Sequence, residues 1–192
     1  AISAVLAPIA GVVVSSLQSN IDDSAQGRLY AWYEGIHMLI SNPIFGIGKG
    51  NFVEEHGLVA HNSYVQVAGE LGIPGYSLWG GCLILTMLTG FIIIKTIQKQ
   101  NTDELSDEVK DELALNKTLF FSLCGFAVTA FFITRSFTLL LFIFMAMSLA
   151  SNIRVIKCMP ELKLVLPNSL IIKSMLYSWS IIVLVYISLK LT

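Results

Sequence analysis

His61-Asn62-Ser63-Tyr64 and, five residues on, Gly69-Glu70-Leu71-Gly72-Ile73-Pro74-Gly75 lead directly into an apolar run at 73–94. A bilayer crossing needs about 20 such residues. Comparable apolar runs lie at 1–17, 118–150 and 170–189. The 192-residue chain is 55% hydrophobic and only 13% charged, against about a quarter charged in soluble domains. Blocked apolar residues with so little charge predict an all-α, polytopic integral membrane protein. The chain opens inside an apolar run with no basic segment before it, which argues against a signal peptide. Segment 1–18 therefore reads as the end of a transmembrane helix, and the chain as the C-terminal part of a larger protein. A net charge of −1 gives no reason to expect nucleic acid as a partner. Cys82, Cys124 and Cys158 lack metal or pairing spacing and read as small packing residues.

Basic residues orient membrane loops. Segment 95–117 holds Lys95, Lys99, Lys110 and Lys117, and segment 151–169 holds Arg154, Lys157 and Lys163. Segment 19–72 has only Arg28 and Lys49. Loops 95–117 and 151–169 are thus expected in the cytoplasm and loop 19–72 outside it. The chain must then cross twice between the basic loops. Its break falls at Thr134-Arg135-Ser136, the polar cluster of that run, giving spans at about 118–134 and 137–150, with others at 73–94 and 170–189. The alternative is one long helix with Arg135 inside it, where a charge is costly and functional. The acidic stretch 101–116 reads as a solvated, partly helical loop with no chemistry.

Within 19–72, Asp22-Asp23-Ser24 starts a helix over 24–39. Arg28, Trp32, Gly35 and Leu39 share one stripe, and His37 faces away from it. Arg28 reads either as a functional cation or as an arginine snorkelling to headgroups. Asn42-Pro43 stops the helix. Gly46, Gly48 and Gly50 permit an irregular turn that could offer N–H groups to a phosphate. Ser63 with Gln66 fits a capping box, so a short helix spans 64–71. Gly72 ends it, and Pro74 suits the first turn of the next span. His61 then precedes a helix N-terminus, which disfavours a protonated imidazole and leaves a neutral one able to act as a base. The competing reading is a histidine packed at the interface. The histidine spacing does not suggest a metal site, and no cofactor is expected.

These pieces resemble the O-antigen ligase / O-antigen polymerase family of bacterial envelope proteins. The resemblance rests on Gly27-Arg28 with Trp32, on Asn42-Pro43-Ile44-Phe45-Gly46-Ile47-Gly48, on His61-Asn62-Ser63-Tyr64 and on Glu70 to Gly75. It implies a GT-C-like helical bundle with a large extracytoplasmic loop at 19–72 and C-terminal transmembrane helices in 73–192. The setting implied is the bacterial inner membrane, with the loop periplasmic or extracellular. The implied activity is metal-independent, inverting glycosyl transfer from an undecaprenyl-pyrophosphate-linked oligosaccharide to a hydroxyl acceptor, a glycan or lipid A core. Products would be O-antigen, capsule or exopolysaccharide; a related branch glycosylates proteins. The short loop and four following spans favour polymerase over ligase. By the resemblance His61 is the base and Arg28 binds the pyrophosphate; Asn62, Tyr64 and Glu70 would orient His61 or bind sugar, Trp32 would contact substrate, and Arg135 or Lys49, which match no motif of the family, would add positive charge. Lacking upstream spans, the chain is expected to be inactive alone. The alternative function is a non-enzymatic transporter or assembly subunit for lipid-linked glycans.

Overall fold

The structure, a computed structural model, describes residues 25–98, 105–167 and 169–191. The expected helix end at 1–18 and the start of the loop at 19–24 lie outside them. The described residues form helices joined by short turns, with no strand among them. In chain order these are α1 (25–41), α2 (Phe52–His56), α3 (Ser63–Ile97), α4 (Asp107–Thr129), α5 (Leu139–Cys158), α6 (Leu162–Val165) and α7 (Leu170–Leu191). Three helices, α3, α5 and α7, are long and apolar enough to cross a membrane.

Helix α3 is the central element. It packs on α4, α5 and α7. Tyr76 donates its hydroxyl to Ser178 O, while Gly81, further along α3, meets Met175, so α7 runs antiparallel to it. Close approach here depends on small residues: a Cβ on Gly80 would stand 2.8 Å from Ser178 Cβ. Helix α4 returns along α3. Phe120 packs on Gly90, and Ala127 O near its far end accepts from Tyr64 Oη at 2.7 Å. Helix α5 then runs parallel to α3, with Asn152 Nδ2 donating to Thr86 O at 3.1 Å.

The helices differ from the expected spans at their ends. Helix α4 starts at Asp107, inside the stretch expected as a loop, and is not among the helices apolar enough to cross. The acids that kept this stretch out of the membrane reading suit a helix start, since Asp107 and Glu108 sit at the positive end of the dipole. Helix α5 continues to Cys158, past the expected end of its span. The connection between α4 and α5 spans 130–138 and includes Thr134-Arg135-Ser136.

Helix α3 is sharply bent. Gly72 has φ 66° and ψ −166°, a region essentially reserved for glycine. In a straight helix Tyr64 and Trp79 would be about 22 Å apart along the axis. Their ring centroids lie 5.7 Å apart. The segment before Gly72 therefore folds back over the end of the long helix. Pro74 falls in the first turn after the bend, where its missing N–H costs no hydrogen bond.

Candidate functional site

The bend is locked by the turn after α1. Ile47 N donates to Gly69 O and Gly48 N to Glu70 O, both at 3.0 Å, and Ile73 N donates to Pro43 O at 2.7 Å. A Cβ on Gly46 would overlap the Glu70 carbonyl, and one on Gly72 would stand 2.6 Å from Ile44 O. The glycines of 42–48 and of 69–75 thus serve each other, allowing two backbones to touch. This corrects the expectation that the turn offers amides to a phosphate. The Ile47 and Gly48 amides are already bonded to carbonyls.

Helix α1 lies against the folded-back segment. Trp32 and Leu39 are buried, and Gly35 packs on Val65 and Phe52. The stripe read from the sequence is therefore the buried face of α1, and Arg28 stands exposed at its N-terminal end. His37, off the stripe, is also exposed and lines a groove with Tyr33 and Tyr186. Trp32 meets Phe131 edge to face, with centroids 5.2 Å apart. It shares a cluster with Ala60, the neighbour of His61. Arg28 precedes Trp32 by four residues, about 6 Å of helical rise.

His61 is exposed and adopts φ 50°. That left-handed conformation costs a residue with a Cβ about 1–2 kcal/mol. The strain is held on both sides. Before it, Ala60 is buried. After it, Asn62 caps α3: its Oδ1 accepts from Tyr64 N at 2.9 Å and Val65 N at 3.1 Å. The cap is thus Asn62, not Ser63, and the helix begins one residue earlier than the capping-box reading placed it. Ser63 and Gln66 are used elsewhere. Ser63 Oγ donates to Ile133 O at 2.6 Å and accepts from Arg135 N at 2.9 Å. Ser136 Oγ bonds Gln66 Oε1 at 2.7 Å and Ser63 O at 3.1 Å. Ser63 N donates to Ala130 O at 2.8 Å. Together these bonds latch the 130–138 turn onto the segment carrying His61.

The latch ties the Arg135 backbone to Ser63, two residues after His61, and leaves the Arg135 side chain exposed. Lys49 Nζ lies 5.0 Å over the ring of Phe137 in the same turn. The other expected site residues face inward. Asn62 and Tyr64 are buried: Asn62 Oδ1 accepts from backbone amides and Tyr64 Oη donates to Ala127 O, while Asn62 Nδ2 has no partner among the described residues. Glu70 is 1% exposed, and its Oε1 accepts from Gln66 Nε2 at 3.2 Å and Phe52 N at 3.4 Å. Trp32 packs against Phe131. These four support His61 in this structure, while His61, Arg28 and Arg135 are exposed. The latch was not legible in advance, because Ser63 and Ser136 are separated by 73 residues.

The fold and site define a multi-pass helical membrane protein with a histidine and several cations at one end of its bundle. Residues 1–80 match the family model described as O-antigen ligase. The resemblance read from the residues is shown for that part of the chain, which contains Arg28, His61 and the glycine lock. The turn bearing Arg135 lies beyond it. No curated protein and no solved structure matches the chain.

Proposed function

We propose that the chain acts in a membrane glycosyltransferase that takes glycan from an undecaprenyl-pyrophosphate donor during polymerisation or ligation of a bacterial surface polysaccharide. His61 removes the proton from the acceptor hydroxyl. The acceptor oxygen attacks the anomeric carbon from the face opposite the pyrophosphate, the glycosidic C–O bond breaks, and the configuration inverts. The pyrophosphate leaves as an anion held by arginine, so no metal is required.

The observation that carries this reading is the strained, exposed His61 inside the stretch that matches the O-antigen ligase model. Local strain persists where surrounding structure over-determines it, commonly at functional sites. A second observation bears on how an anionic leaving group would be held. The first amides of α3 are taken by Asn62 and Ala130, and in the glycine turn those of Gly46, Ile47 and Gly48 by Asn42, Gly69 and Glu70. Side chains are then the natural partners for an anion beside His61. Arg28 and Arg135 are the exposed arginines at this end. Segment 19–72 and the 130–138 turn then share the extracytoplasmic face of the inner membrane in a GT-C-like bundle. Helices α3, α5 and α7 cross it, α4 returns between α3 and α5, and the Ile97 and Cys158 ends of α3 and α5 face the cytoplasm.

The test is transfer from purified undecaprenyl-pyrophosphate glycan by the full-length protein. His61→Ala and Arg28→Ala are expected to abolish product while membrane levels stay normal. Undiminished transfer by His61→Ala would remove the base assignment and favour a non-enzymatic carrier of lipid-linked glycan.

A further inference from the structure

At the end of the bundle away from His61, α3 and α4 enclose a cavity of about 370 Å³. Its apolar wall comes from Ile94 and Ile97 on α3 and Leu113 and Ala114 on α4. Its polar lining includes Lys110, Lys117 and Gln98. Helix α4 is acidic at this end, with Asp107, Glu108, Asp111 and Glu112. No acid lines the cavity among the described residues. The lining positions 110, 113, 114 and 117 form one helical stripe, and that stripe reads Lys, Leu, Ala, Lys. Glu112 is instead taken by Arg154 on α5 at 2.8 Å. Among the described residues the acid paired with a cavity lysine is Asp107, 3.7 Å from Lys110 and fully exposed, a pairing that competes weakly.

The wall is built to keep its shape. Asn116, which also lines the cavity, is 2% exposed, and its Nδ2 donates to Asn152 Oδ1 at 2.8 Å and Ser151 Oγ at 3.2 Å. Asn152 bonds in turn to Thr86 O, so α3, α4 and α5 are tied behind the cavity. One turn toward the middle of the helices, Phe91 and Phe120 stack with centroids 6.5 Å apart. Phe91 and Phe121 are exposed there. Lys95 adds a third cation at this rim, its Nζ 5.8 Å over the Phe91 ring.

We propose that this cavity binds the phosphate headgroup of an anionic membrane phospholipid, with its acyl chains lying along Phe91 and Phe121. Basic pockets between membrane helices select such headgroups. The apolar wall and the adjoining exposed phenylalanines choose a lipid over a free anion, which has nothing to place against them. The inference is independent of the chemistry at His61.

The test uses the full-length protein in detergent, supplemented with dioleoyl-phosphatidylglycerol, dioleoyl-phosphatidylcholine or inorganic phosphate. Readouts are lipid retained in native mass spectrometry and the melting temperature. Phosphatidylglycerol is expected to be retained and to raise the melting temperature, while phosphatidylcholine and inorganic phosphate do neither. Lys110→Gln with Lys117→Gln should lower retention about fivefold per lysine. The paired arginine substitutions should keep it, and Lys157→Gln, an exposed lysine on α5 outside the cavity, should leave it unchanged. Ala114→Trp fills the cavity with both lysines present and should also abolish retention. Equal retention by the double glutamine variant, or equal loss with Lys157→Gln, overturns the site. Equal stabilisation by inorganic phosphate overturns the choice of a lipid.

Discussion

The end of the bundle that carries His61 and the seam between α3 and α7 are both closely packed, but by different means. At the His61 end two backbones touch at Gly46 and Gly72, and a polar latch joins Ser63 to a turn some seventy residues away. Along the seam, Gly80 and Gly81 meet the side chains of Ser178 and Met175, and the hydroxyl of Ser178 returns to Met175 O within its own helix. The first arrangement demands particular residues at particular positions. The second demands only that residues be small. A motif is therefore legible at the His61 end, whereas the seam reads as little more than hydropathy.

The sharpest way to break this contrast is His61→Gly. Glycine relieves the left-handed backbone, so stability should rise by roughly the 1 kcal/mol that the strain costs, and the melting temperature with it. Transfer should fall by about 10²–10⁴, the usual contribution of a general base. Calorimetry beside a transfer assay reads both, and a variant that keeps activity ends the case for a strained catalytic residue. Gly72→Ala comes next. It asks alanine to adopt a conformation near-exclusive to glycine while pressing on Ile44 O, and should cost more than about 2 kcal/mol. On the seam, Gly81→Ala would stand 2.8 Å from Met175 Cγ, which a side-chain rotation can relieve, and should cost about 1 kcal/mol. Equal losses in chemical denaturation would erase the distinction between the two regions.

Smaller effects separate the serines. Ser63→Ala removes two bonds to the 130–138 turn and should cost about 1–2 kcal/mol at about 1 kcal/mol each. It should also loosen Arg135, seen as a raised KM for the lipid donor. Ser178→Ala loses one bond within its own helix and should change stability by less than about 0.5 kcal/mol. A Ser63→Ala protein with unchanged stability and unchanged KM would show that the latch holds nothing.

Much of the architecture was open to reading because hydropathy is a local property. The α1 stripe of Trp32, Gly35 and Leu39 follows from periodicity, and the bend at Gly72 from a glycine two residues before Pro74. Three features were not open to reading. The cap was placed on Ser63, since the S-x-x-Q pattern and the Asn62 alternative differ only by which side chain reaches the first amides. The glycine turn suggested free N–H groups, because nothing local reveals that Gly69 and Glu70 would occupy them. The acids at 107–112 suggested a solvated, only partly helical loop, although they equally suit the first turns of α4.

By itself the sequence determined that the chain is helical and built for a membrane, and which stretch carries its histidine and glycine motifs. Side-chain hydropathy and glycine's freedom act within a few residues, so they are written locally. Only the tertiary structure decided what the motif residues do. It turned the glycines into a backbone lock, moved the cap to Asn62, sent Glu70 and Tyr64 inward and tied the Arg135 turn to Ser63. Hydrogen bonds between segments depend on which backbones meet in space, and spacing along the chain does not encode that.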